Sequence, residues 1–237
     1  MEGSLAATLG LGFLLGIRHA LDPDHIVAVA ALVSQYRRLS VSCLLGVFWG
    51  LGHSTALLVA GATVIALKLT ISPRVERGLE MGVALVLILL GGHVLLRTFS
   101  GAIMHRHTHS HGGSTTHSHL HFHAHDHPAG DHAHASHVHL LDLGARPFLV
   151  GLLHGMAGTA AIMLLVASTL PSAVAGIAYI AVFGLGSTIG MLVLSGVIGL
   201  PFVMTSSRSA SIQRVVQGTA GAASLLLGVF LVWRLAT

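Results

Sequence analysis

The chain has 237 residues, of which 53% are hydrophobic and only 8% charged, with a formal net charge of +4. A soluble domain carries about 25% charged residues, so this composition excludes a water-soluble globular protein. The basic residues scatter at the ends of apolar runs rather than clustering on one stretch, which removes nucleic acid as an expected partner.

Apolar runs of the roughly 20 residues needed to cross a bilayer recur along the chain, and they are continuous rather than alternating. Backbone polar groups in lipid must be satisfied within the segment, so the runs read as helices. An all-α integral membrane protein with six spans is expected, at roughly Leu5–Val33, Val41–Leu67, Leu79–Leu96, Pro147–Leu170, Ala173–Leu200 and Val215–Leu235. The apolar start lacks a basic leader region and reads as the first span.

The first span contains "RHALDPDHI" at residues 18–26. His19, Asp22 and His25 recur at steps of three and share one helical face. Pro23 removes an amide donor and clashes with the preceding turn, so the helix is expected to break there and let Asp24 turn inward. Ionisable groups in a span are costly unless paired, hydrated or bound to a cation. Two imidazoles with one or two carboxylates suit a divalent first-row ion such as nickel or cobalt, with zinc and iron also compatible. The alternative is a structural network in which Arg18 pairs with Asp22 or Asp24 and the histidines are hydrogen-bonded.

In the second span, "GLGHST" at residues 50–55 carries His53. Ser54 and Thr55 either line a route or bond back to the helix backbone. The lone Cys43 excludes an intrachain disulfide and a thiolate cluster. In the third span, Glu80 is expected to pair with Arg77 or with the helix dipole, and His93 reads as interfacial packing.

Residues 101–145 form a separate segment. Fourteen of the 19 histidines lie between His105 and His139, among Ser, Gly and Ala. Such a stretch cannot build an apolar core and is expected to be a flexible loop that collects or senses transition-metal ions. Beyond it, "HGMAGT" at residues 154–159 adds His154 as a further ligand candidate.

The two ends of the chain resemble each other. "GFLLGIRHA" from Gly12 aligns with "PFLVGLLHG" from Pro147, setting His19 on His154 and Gly16 on Gly151. "WGLGHST" from Trp49 resembles "FGLGSTI" from Phe183, and "LGGHVLLR" from Leu90 resembles "LGVFLVWR" from Leu227. Residues 1–100 and 146–237 therefore read as two three-helix repeats. An odd number of spans per repeat inverts the second in the membrane, a plan that places sites on broken helices at the repeat interface. With the N-terminus outside, inner segments hold seven Lys and Arg residues against four outside, with Arg18 within the span. Positive charge favours the cytoplasmic side, which puts the histidine-rich loop in the cytoplasm of a prokaryotic cell.

"RHALDPDHI" resembles the "RHAxDADHI" signature of the nickel/cobalt transporter superfamily, with Pro23 in place of the usual alanine. "GLGHST" is similar to that family's next motif, and "HGMAGT" resembles the second-half motif of its six-span, urease-accessory-type branch. The resemblance covers nearly all the chain outside the histidine-rich insert. It implies passage of Ni²⁺ or Co²⁺ through a site formed by His19, Asp22, Asp24, His25 and His53. Cytoplasmic metallochaperone or urease-maturation partners fit that resemblance, and with no HExxH motif in the sequence no enzymatic activity or catalytic cofactor is expected. Gly158 and Thr159 stand where the eight-span importers carry an acidic motif, and long histidine-rich loops also occur in efflux members. Uptake or urease-linked supply is the expected direction, with efflux and a non-transporting metal-binding accessory as alternatives.

Overall fold

The computed structural model describes residues 2–69, 72–99, 103–111, 115–123, 140–155, 169–205 and 210–237. Seven helices are found among them: α1 (Glu2–His19), α2 (Pro23–Val33), α3 (Leu39–Leu67), α4 (Pro73–Phe99), α5 (Leu140–His154), α6 (Ala173–Thr205) and α7 (Ala210–Ala236). Strands β1 (Ile103–His111) and β2 (Thr115–His123) lie between α4 and α5.

α3, α4, α6 and α7 are each long and apolar enough to cross a membrane. α1 and α2 pass the same test as a pair bent by 56°, which gives up to five spans among the described residues. The expected fourth span begins within α5, but Met156–Ser168 lie outside the described residues. α5 starts at Leu140, ahead of the expected boundaries at 145 and 147, and carries Pro147 inside it. At about 1.5 Å per residue, α6 is roughly 50 Å long, well beyond a hydrocarbon core of about 30 Å. Tilt or projection past the core absorbs the excess.

The break between α1 and α2 follows from local chemistry. Leu21 N–H donates to the Arg18 carbonyl and Asp22 N–H to the His19 carbonyl, a tight turn that ends α1. Asp22 then adopts an extended conformation as N-cap, and Pro23 opens α2 where no amide donor is needed.

Small residues set the packing partners. α3 lies on α5 and α6, α1 on α6, and α4 on α7. Gly16 of α1 meets the Phe183 backbone, and Gly151 of α5 meets the Trp49 backbone. Gly91 of α4 meets Gly221 and Leu225 on α7, while Gly228 of α7 meets Ala84 and Ile88 on α4. Such close backbone approach is how helices associate in lipid, where apolar surface alone provides little drive.

The main apolar core joins Ala28, Val29 and Val33 of α2 to Leu45, Trp49, Leu87, Met191 and Phe202. In the histidine-rich segment, β1 and β2 pair antiparallel with His105 opposite His121, His107 opposite His119 and His109 opposite His117. Composition alone did not predict this hairpin.

Candidate metal centre

The break in the first apolar run brings together residues from four helices. His19 ends α1, Asp22 caps α2, and Asp24 and His25 occupy its first turn. His53 comes from α3 and His154 from the end of α5. The four imidazoles are buried, with His53 at 0% and His154 at 1% exposure.

Two chains of contacts run through the cluster. Asp22 Oδ2 lies 2.8 Å from His19 Nδ1, and His19 Nε2 lies 3.0 Å from His53 Nε2. Asp24 Oδ1 is 3.1 Å from His25 Nδ1, while Asp24 Oδ2 is 2.9 Å from His154 Nε2. The His19 and His25 rings are 4.6 Å apart between centroids, as are those of His25 and His154.

Two overlapping groups emerge whose potential ligand atoms all lie within 4.8 Å of one another: His19, His25 and His53, and Asp24, His25 and His154. His25 belongs to both. Its Nε2, together with His53 Nδ1 and His154 Nδ1, is buried with no hydrogen-bond partner among the described residues. Buried polar atoms are normally satisfied, and these three orphaned imidazole nitrogens lie within one cluster.

All six candidate residues from the sequence thus converge. Asp22 reaches only His19, at the edge of the first group, with its side chain 35% exposed. Of the alternative structural network, the hydrogen-bonded histidines are present and the Arg18 pairing is not found: among the described residues both aspartates are paired by histidines. His93 is exposed on α4, away from the cluster. Ser54 bonds across to the Gly184 carbonyl at 2.8 Å and to Thr188 at 3.0 Å, whereas Thr55 bonds back to the Leu51 carbonyl. Glu80 pairs with Arg234 of α7 at 3.8 Å instead of Arg77, because the α4–α7 contact brings the two helix ends together. "HGMAGT" beyond Gly155 lies outside the described residues.

Sequence reasoning missed Trp49 as a wall of the site. Its ring stacks on His25 at 6.0 Å with an interplanar angle of 15°, and meets His154 edge-on at 5.6 Å. The available signal was its position four residues before His53, on the same face of α3. Phe183 closes the other side, 5.4 Å from His19. Two aromatic rings thus pack against the cluster.

The chain matches, over residues 5–212, the sequence profile of the NicO family, described as high-affinity nickel-transport protein. It is 37% identical over 234 residues to the urease accessory protein UreH of Bacillus sp. (strain TB-90), covering 98% of this chain and 92% of that protein. It is 39% identical over 82 residues to a high-affinity nickel transport protein of Cryptococcus neoformans var. grubii serotype A, covering 32% of this chain and 16% of that one. A chloroplast protein of Arabidopsis thaliana, FOR GROWTH AND FERTILITY 2, is 26% identical over 181 residues, covering 76% of this chain and 44% of that protein. No solved structure matches.

Proposed function

Because the chain belongs to the NicO family of high-affinity nickel-transport proteins, we propose that it carries Ni²⁺ across a cell membrane through the cluster of His19, Asp22, Asp24, His25, His53 and His154. The observation that carries this reading is the pair of ligand groups sharing His25. One imidazole common to two groups allows a cation to be handed between them without full release. His19 and His53 would hold it in one group, Asp24 and His154 in the other, and Asp22 would orient His19 through Nδ1.

Imidazole and carboxylate donors without a thiolate suit nickel. Cobalt accepts the same donors and is included as cargo.

The fold reading extends to six spans in two inverted three-helix repeats. Reciprocal contacts support it: Gly16 against Phe183 answers Gly151 against Trp49, and Gly91 against Leu225 answers Gly228 against Ile88. Each pair exchanges residues that the two halves align. In the cell membrane the N-terminus lies outside and the histidine-rich loop inside. There the loop collects metal beside the route, where metallochaperones or urease-maturation proteins would receive it. The similarity to a urease accessory protein favours uptake or urease-linked supply over efflux.

Purified protein in sealed vesicles tests the proposal. Ni²⁺ and Co²⁺ flux should exceed Zn²⁺ flux, and His25→Ala should reduce it at least about tenfold, since it removes a ligand from both groups. A folded chain that binds nickel but moves none in either direction would replace transport with an accessory binding role. Flux only outward in the cellular sense would replace uptake with efflux.

A further inference from the structure

A cavity of about 300 Å³ lies between α2, α4 and α7, lined in part by Pro23, Asp24, Glu80, Val83, Phe230 and Arg234. Three charged side chains thus meet in a space walled by apolar residues of membrane-crossing helices. Ionisable groups set among apolar spans line hydrated cavities and ion pathways, and a volume of this size admits several waters. The Asp24 side chain is 29% exposed, whereas its imidazole partners His25 and His154 are 2% and 1% exposed. Anything arriving through the cavity meets the carboxylate before the imidazoles.

At the other end, Glu80 lies two turns into α4 and Arg234 in the last turn of α7. Their contact is 3.8 Å long, and Arg234 is 57% exposed. An ion pair so long and so open to solvent is easily exchanged. Resting on the transport reading, we propose that this cavity is the vestibule by which a hydrated divalent cation reaches Asp24. Glu80 is its acidic filter, and Arg234 is the tether that holds Glu80 until a cation takes its place. Glu80 and Arg234 line the cavity where α4 starts and α7 ends, which is the outer side in the orientation proposed above. A low-dielectric wall bearing negative charge concentrates cations at the mouth.

The sign of two substitutions tests this. In vesicles, Glu80→Gln should raise the half-saturating Ni²⁺ concentration about tenfold, and Arg234→Gln should lower it, because one removes attraction and the other repulsion. Both effects should fade at high ionic strength. A merely structural ion pair would shift both variants in the same direction with no salt dependence, and that result would overturn the proposal.

A second measurement needs no flux. In a full-length Cys43→Ser chain, Leu231→Cys, also on the cavity wall, should react faster with a cationic than with an anionic methanethiosulfonate. Glu80→Gln should abolish the preference. Equal rates for the two reagents, or no reaction, would reject the vestibule. A chain that labels as expected yet carries no nickel would sink the transport reading and leave the vestibule standing.

Discussion

One carboxylate serves two imidazoles at Asp24, with Oδ1 toward His25 and Oδ2 toward His154. That bridging ties together rings from two helices, and in the proposed metal site it would hold the donors in place. Asp24→Asn keeps the shape but loses the charge and one acceptor. Nickel affinity in a chain lacking residues 105–139 should fall about 10–100-fold, measured by equilibrium competition with a chelator. Unchanged affinity would mean that Asp24 only satisfies buried histidines. Trp49 works differently: it contributes a stacked face to His25 and an edge contact to His154. Its role was hidden in the sequence because an apolar aromatic in a span looks the same whether it packs against leucine or imidazole.

Among the elements, the α1–α2 break was legible because Pro23 dictates it locally. The path of α4 against α7 was not, because it depends on which glycine faces which backbone. Gly91 and Gly228 sit in the apolar stretches of their helices, where no amphipathic stripe marks the buried side. The β1–β2 hairpin was not legible either, since alternating histidines carry no apolar face to pin a strand. Deleting residues 105–139 tests the element's role. Flux should persist, while the half-saturating nickel concentration should rise, as the local supply of bound metal is lost. Complete loss of flux in a stable, membrane-inserted deletion would make the segment part of the route.

For the molecule as a whole, hydrogen bonds gather one set of basic residues at one end. Arg37 donates to Gln213, Arg97 donates to Gln35, and Gln217 donates to the Ser34 carbonyl. Glu80 and Arg234 lie at the opposite end. In the orientation proposed above, the end holding Arg37 and Arg97 faces the cytoplasm. In intact cells, with Cys43→Ser as background, Lys68→Cys should react with an impermeant thiol reagent and Thr115→Cys should react only after lysis. Ready labelling of Thr115→Cys from outside would invert the orientation.

Residue chemistry alone determined that this chain is a helical membrane protein, that its first span breaks at Pro23, and that His19, Asp22, Asp24 and His25 form its chemically loaded stretch. Those features are local: apolar length, proline sterics and the high cost of charge in lipid all act within a few turns. Tertiary structure decided the rest. His53 meets His19 across 34 residues, and His154 meets Asp24 across 130. Likewise only the fold paired Glu80 with Arg234 beside the cavity that reaches Asp24. Such contacts are chosen by how small residues let helix backbones approach, and in helices apolar on every face no sequence periodicity records that choice.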